Sequence, residues 1–458
     1  MTIDELLKQV KRIHFIGIGG SGMCPLAEIL HAEGYELSGS DNNPSETLER
    51  VKSLGIPVVM GQKAENVDGA EMVVYTAALL PDNPELVAAQ EKGIPTFERA
   101  KLFGAICRRY GSCIGVCGTH GKTTVTAMCV NTAMKAGLDP SAVIGGKLPL
   151  IGANGRVGES DLFICEACEF KDHFLELSPT CAVILNIDND HMEYFKTMEN
   201  MKRSYHKFAS MATTVIYNGD DANTVEAVGG MTEKDLIAYG LGAGCDWRAE
   251  NITMRRGAFA EFDVLYRGEL FTHLSLNVPG RHNIYNALAC CAAIFYAGAD
   301  AGSIREGIET FRGAGRRFEF LYEKNGIAVA DDYAHHPTEL EATIDTALKM
   351  GYERVWAVFQ PFTFSRTQMH MDEFARVLSK ADRCVLTPIM GSREVNTYGV
   401  TSEQLQAKIP GAVLCDFPDG VANYLYENVK PGDLVLTMGC GDVYKAAKKL
   451  IKKYEAAE

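Results

Sequence analysis

The segment Gly118–Thr119–His120–Gly121–Lys122–Thr123–Thr124 constrains this chain more than any other. It follows the apolar run Cys113–Cys117 directly and opens a helical pattern. A glycine turn between a strand and a helix puts free backbone N–H groups and the positive end of a helix at one point, which favours bound anions. Such a turn belongs to an α/β fold, at the carboxyl end of a parallel strand. Lys122 supplies a point charge for terminal phosphates and Thr123 a hydroxyl for Mg²⁺. The usual phosphate loop has four residues between its glycines, whereas two separate Gly118 from Gly121. We therefore expect a short variant that binds a nucleoside triphosphate through Gly118, Thr119, His120, Gly121, Lys122, Thr123 and Thr124.

A second glycine loop lies near the N-terminus. Gly17, Gly19, Gly20, Ser21 and Gly22 again stand between a strand-like run (Ile13–Ile18) and a helical one (Pro25–Ala32). This context suits a diphosphate approaching bare backbone at a helix N-terminus. Asp41 follows the next strand and could accept from a ribose hydroxyl. The loop alone fits NAD and a UDP-sugar equally.

The 458 residues exceed one ordinary core. Short apolar runs alternate with helical patterns in three stretches, implying βαβ units and parallel sheets. We read 1–107 as a Rossmann-like domain, 108–313 as a central phosphate-loop α/β domain and 314–458 as a second Rossmann-like domain. In the central stretch, Ala182–Asn186 reads as a strand and Trp247–Leu276 as a polar β-like segment. The formal charge of −14 argues against a nucleic-acid backbone or an anionic membrane as partner, so anions must be met locally. No apolar run approaches the roughly 18 residues of a membrane span. Met1–Val10 carries two acids and one Lys, unlike a secretory signal. Fourteen cysteines without framework spacing point to a reducing, cytoplasmic setting. Cys165 and Cys168 lack a second pair of ligands that would make a zinc site.

Several polar groups fall at strand ends. Glu166 and Glu169 follow Leu162–Cys165 and offer hard oxygens to a divalent cation. Asp188, Asp190 and His191 follow the next apolar run. Asn283 and Asn286 share a helix face after Pro279 and could reach a purine or ribose edge. Arg316 and Arg317 mark a domain boundary, where guanidiniums could clamp a phosphate. Asp331–Asp332–Tyr333–Ala334–His335–His336–Pro337 ends another strand just before a helix.

Taken in order, these motifs resemble the Mur ligase family, from His14 to about Gly441. The resemblance implies three domains: one binding UDP-N-acetylmuramate, one ATPase and one presenting an amino acid. It implies an ATP-dependent ligation of L-alanine to the lactyl carboxylate of that sugar nucleotide, in peptidoglycan precursor synthesis. It assigns catalysis to Lys122, His191 and Arg317. Mg²⁺, or Mn²⁺ in its place, would be held by Thr123, Glu169 and His191. Asn283, Asn286, Arg317 and Asp332 would join the phosphate loop at ATP. Gly17–Gly22 and Asp41 would take the UDP moiety, and Tyr333, His335 and Arg366 the amino acid. One departure bears on the acceptor: Phe362 and Thr363 stand where relatives often carry a polar pair. A second lies in the acid-rich segment after Glu166, where Cys168 replaces the Asp of many relatives while Glu169 is present. Glycine, serine or a preformed tripeptide remain alternative acceptors.

Overall fold

The computed structural model describes residues 2–77, 79–392 and 394–456. It contains three sheets. The first is built from β1 (Arg12–Ile16), β2 (Glu36–Asp41), β3 (Val58–Met60), β4 (Met72–Tyr75) and β5 (Thr96–Glu98). All four pairings are parallel, in the order β3-β2-β1-β4-β5. Ile13, Phe15, Met72 and Val74 pack on one face, while Ile16 and Val73 pack on the other. Both faces are covered, which is why these strands read as unbroken apolar runs rather than as alternation. Ile16 is in register with Ser40 and Tyr75, and Tyr75 with Glu98. The Gly17–Gly22 loop, Asp41 and Arg99 therefore emerge at the same, carboxyl edge.

The second sheet comprises β6 (Ser112–Cys117), β7 (Ser141–Leu148), β8 (Ala153–Arg156), β9 (Leu162–Glu166), β10 (Cys181–Ile184), β11 (Thr214–Asn218), β12 (Asp235–Gly240), β13 (Trp247–Arg255), β14 (Phe259–Tyr266) and β15 (Glu269–Pro279). Their order is β15-β14-β13-β12-β11-β10-β6-β9-β7-β8. β6, which leads into the phosphate loop, lies between β9 and β10, so the turns following those two strands flank the loop. The helix Lys122–Lys135 leaves the loop and packs on Ala301–Thr310. A side chain at Gly307 would stand 2.5 Å from Thr132 Cα, so only glycine allows this approach, and Asn131 Nδ2 donates to Gly307 O at 2.7 Å.

Two expectations need adjusting. β10 stops at Ile184 rather than Asn186, because Asn186 turns its side chain to the phosphate loop. The polar β-like segment resolves into β13, β14 and β15. In β14 only alternate residues, Ala260, Phe262 and Val264, are buried, the pattern of a strand with one wet face.

The third sheet contains β16 (Glu319–Lys324), β17 (Ile327–Asp332), β18 (Arg354–Phe359), β19 (Arg383–Leu386), β20 (Val413–Leu414) and β21 (Asp433–Met438). Its order is β16-β17-β21-β18-β19-β20, parallel throughout except for β16 against β17. Ala328, Ala330, Ala357, Phe359 and Leu436 face one core, and Val329, Trp356, Val358 and Val435 the other. The chain folds into two compact units. One comprises Met1–Glu250, Asp263–Leu274 and Tyr285–Phe311, and the other Asn251–Phe262, Ser275–Ile284 and Arg312–Glu458. Among the described residues, no helix is long and apolar enough to cross a membrane.

Candidate functional site

The phosphate loop is held from below by the turn after β10. Thr119 N donates to Asn186 O at 3.0 Å and His120 N to Asn186 Oδ1 at 2.8 Å, while Asn186 Nδ2 donates back to His120 O at 3.0 Å. Asp188 N donates to Thr119 Oγ1 at 2.9 Å, and His120 Nε2 lies 3.0 Å from Asp188 Oδ2. Gly118 (φ +144°) passes so close to this turn that a Cβ would sit 2.9 Å from Leu185 Cβ. Gly121 (φ +86°) caps the helix in a left-handed conformation, and a Cβ there would meet Asn286 Oδ1 at 3.1 Å. Asn286 thus overlooks the helix N-terminus.

Lys122 curls back across the loop. Its Nζ donates to Gly118 O at 2.5 Å, Thr119 O at 3.1 Å and Glu169 Oε1 at 3.0 Å. Burial alone would push the ammonium pKa down, but Glu169, Cys168 and Glu166 reverse the effect, and the net shift is upward. Lys122 is therefore a permanent cation. Thr123 Oγ1 donates to Glu166 Oε1 at 3.2 Å, and Glu166 Oε2 accepts from Gly145 N at 2.7 Å. Both carboxylates expected near the loop are there: Glu166 on Thr123, Glu169 on Lys122. Burial and Glu169 push the neighbouring Cys168 thiol up to about 11. His191 has φ +55° and lies 3.4 Å from Glu193 Oε1 and 3.7 Å from Asp190 Oδ2. Its ring stacks at a tilt on Phe170, the residue after Glu169, with centroids 4.7 Å apart.

In the first sheet, Asp41 reaches the glycine loop itself. Its Oδ2 accepts from Gly19 N at 2.9 Å and its Oδ1 from Asn43 N at 3.0 Å. A Cβ on Gly19 would stand 2.9 Å from Asp41 Oδ2, so the glycine admits the carboxylate. Gly20 and Ser21 are exposed.

The second unit gathers its own cluster at the carboxyl ends of β17, β21 and β18. Arg316 Nε donates to Asp331 Oδ2 at 2.8 Å, Nη1 to Gly441 O at 3.0 Å and Nη2 to Gly439 O at 2.7 Å. Arg316 is thus committed to holding the turn after β21, whereas Arg317 lies over Tyr333, 5.1 Å from the ring centroid. Asp332 accepts from Phe318 N and Ala334 N, both at 2.7 Å. Burial pushes its carboxyl up to about 6 despite Arg317 and these two donors. His335 Nδ1 lies 3.0 Å from Tyr333 O and 3.3 Å from Glu339 Oε2. Burial pushes the Cys440 thiol up, with Arg366, Glu339 and Arg316 all acting on its charge, so Arg366 and Glu339 share this end of the sheet. Asn283 Nδ2 donates to Pro279 O at 2.7 Å, closing its own turn. Thr363 takes φ +62° after Phe362 bridges to Met390.

Sequence reasoning did not single out Asn186, whose two-way pairing with His120 orders the loop. The only signal was a polar residue following an apolar run. It also passed over the meeting of the Cys107, Cys113 and Cys165 thiols, which lie within 4.8 Å of one another although about fifty residues separate Cys165 from the other two. Gly145, which donates its N–H to Glu166, carried no signal.

Three family models match in order: "Mur ligase family, catalytic domain" over residues 12–111, "Mur ligase middle domain" over 116–294, and "Mur ligase, glutamate ligase domain" over 316–441. The chain is 43% identical over 461 residues to a UDP-N-acetylmuramate–L-alanine ligase of Caldanaerobacter subterraneus subsp. tengcongensis, covering 99% of each protein. A ligase with the same name in Acetivibrio thermocellus is 42% identical, covering 96% of each. Among solved structures, the UDP-N-acetylmuramate–alanine ligase of Thermotoga maritima matches with a TM-score of 0.83 at 27% identity, covering 98% of this chain and 100% of that one. A murein peptide ligase from Psychrobacter arcticus shares the fold, with a TM-score of 0.75 at 23% identity and coverage of 97% and 98%.

Proposed function

We propose, from the premise that the chain belongs to the Mur ligase family, that it joins L-alanine to the lactyl carboxylate of UDP-N-acetylmuramate with cleavage of ATP. This is the amide-forming step of peptidoglycan precursor synthesis, and we place it in the cytoplasm. The observation that carries the reading is the phosphate loop with its permanent Lys122 cation, paired to a strand-end carboxylate at 3.0 Å.

A carboxylate is a poor electrophile because its leaving group would be oxide. In the reading proposed here, a carboxylate oxygen attacks the γ-phosphorus of ATP, the bond to ADP breaks, and an acyl phosphate forms. The neutral amine of L-alanine then attacks the carbonyl carbon. The C–O bond to phosphate breaks, and the amine proton leaves with the phosphate. Two anions must meet in the first step, so a fixed cation at the transferred group lowers the barrier most directly. Lys122 is suited to that work, since Glu169 and two loop carbonyls orient its ammonium.

The donors around the loop fit a hard divalent cation. Glu169 is 1% exposed and its Oε2, 3.0 Å from the Lys122 ammonium, makes no hydrogen bond among the described residues, while Thr123 offers a hydroxyl. Thr123, Glu169 and His191 would hold Mg²⁺, and an imidazole among oxygens also tolerates Mn²⁺. When bound, the ion would neutralise charge on the phosphates. We further assign Asn283, Asn286, Arg317 and Asp332 to the nucleotide and Tyr333, His335 and Arg366 to the amino acid. The divisions 1–107, 108–313 and 314–458 would carry the sugar nucleotide, ATP and the amino acid respectively.

The test is phosphate release by the purified protein with ATP, Mg²⁺ and UDP-N-acetylmuramate, run separately with alanine, glycine, serine and a recycled tripeptide. Release that requires both the sugar nucleotide and L-alanine is the expected result. Release with another acceptor alone would move the substrate, and silence with every acceptor would overturn the ligase reading.

A further inference from the structure

Arg99 carries no motif and lies about eighty residues from the glycine loop in the chain, yet it ends beside it. It is the first residue of the helix Arg99–Cys107, immediately after β5, at the carboxyl edge from which the Gly17–Gly22 loop also rises. A Cβ built on Gly22 would lie 3.2 Å from Arg99 Nη1 and 3.3 Å from Cζ. The guanidinium therefore rests directly on the loop, and glycine at position 22 is what makes room for it.

Three donor groups meet there without acceptors among the described residues. Most loop amides are engaged: Gly17 N and Ile18 N donate to Ser40 O, Gly19 N to Asp41, Gly20 N to Gly17 O, and Met23 N and Cys24 N to Gly20 O. Ser21 N and Gly22 N donate to nothing among the described residues. Arg99 likewise makes no hydrogen bond or ion pair among them. Its neighbour Glu98 is turned to His173, with Oε1 2.9 Å from Nε2. Burial pushes the Arg99 pKa down, and only the Cys168 thiol and Glu98 act in the other direction. A partly buried guanidinium with five donors and no partner is an unfavourable arrangement unless an anion joins it.

The same loop is tied to the central sheet. Asn154 of β8 donates to Ser21 O, and Gly155 packs on Pro25 so closely that a Cβ would approach Pro25 Cβ at 2.6 Å. Arg99 thus rests on the loop, and the charge of Cys168, the residue before Glu169, also acts on it.

We propose that Arg99 joins the glycine loop in binding the diphosphate of the sugar nucleotide, a role that rests on the function proposed above. A planar fork matches two phosphate oxygens at once, and a glycine loop before a helix N-terminus completes the cradle.

The experiment compares wild type with Arg99→Met and Arg99→Lys. Calorimetric titration with UDP and with UDP-N-acetylmuramate is paired with KM values for ATP and L-alanine. Arg99→Met should weaken UDP and UDP-N-acetylmuramate alike, by roughly tenfold or more, as loss of a charged hydrogen bond implies. Arg99→Lys should recover part of this, and the KM for ATP should hold. Unchanged UDP affinity in Arg99→Met that still binds ATP would overturn the proposal. So would a loss confined to UDP-N-acetylmuramate, which would move Arg99 to the lactyl carboxylate. If Arg99→Met does not fold, Arg99→Lys decides: UDP affinity equal to wild type with an altered thermal midpoint would mean a structural role and overturn it. A wild-type protein that binds neither UDP compound would instead defeat the functional reading itself.

Discussion

Lys122 Nζ lies 3.0 Å from each carboxylate oxygen of Glu169. The two are neighbours only because β6 and β9 are, since 46 residues intervene between them in the sequence. Glu169 is almost fully buried, so the pair behaves as one unit.

Lys122→Met should abolish phosphate release and also strand a buried carboxylate, lowering stability by about 3 kcal/mol. Adding Glu169→Gln should restore most of that stability but none of the activity. Urea unfolding of the single and double variants measures the first effect, and phosphate release the second. Equal stability of the two variants would mean that Glu169 is not held by Lys122.

Gly118→Ala places a methyl group against Leu185 at a φ that L-residues avoid. Stability should fall by about 1–3 kcal/mol. ATP affinity should fall with it, because the displaced turn carries the Thr119 and His120 amides. Titration with ATP checks this, while UDP binding in the same variant should stay close to wild type.

Asp332 gives a pH signature. Its folded carboxyl sits at about 6, above the ordinary 3.8, because burial disfavours the charge. Between these values the folded protein holds a proton that the unfolded chain has released. The associated stability is complete below about pH 4 and declines as pH rises through about 6. Asp332→Asn removes the dependence, so the variant should gain about 3 kcal/mol on wild type between pH 4 and pH 7. Urea midpoints across that range test it, and a difference that is flat with pH would refute it.

Arg316→Lys keeps the charge but loses the fork that holds Gly439 O, Gly441 O and Asp331 together. A flexible ammonium cannot reproduce all three contacts, and the loss should be about 2 kcal/mol. Because the Gly439–Gly441 turn carries Cys440 beside Arg366, the KM for L-alanine should rise several-fold. Steady-state kinetics against alanine and ATP separately would reveal it.

The parts of the site legible in the sequence are those where chemistry and backbone shape coincide in a short segment. Gly118–Thr124 and Gly17–Gly22 required a strand, a turn and a helix in immediate succession, and the structure has both. Glu166 and Glu169 were legible because an apolar strand ends beside them. Asn186, Gly145 and Arg99 were not, since each acts across strands whose order no local pattern encodes. The distance of Asp41 along the chain points to a ribose acceptor. Its contact with Gly19 depends on how the loop bends back over β2. The strands β13–β15 were blurred into one segment because a sheet with one wet face spreads its apolar residues thinly.

The cysteines supply a chemical clock. Ten of the fourteen are buried and the other four are only partly covered. Two of those four, Cys168 and Cys440, stand at the two residue clusters, with thiols held far above the range in which sulfur ionises readily. Alkylation needs both access and the thiolate. Modification of Cys168 or Cys440 in the native protein therefore records an excursion in which its cluster opened to water, and the order in which these two sulfurs are marked would rank the mobility of the two halves of the chemistry.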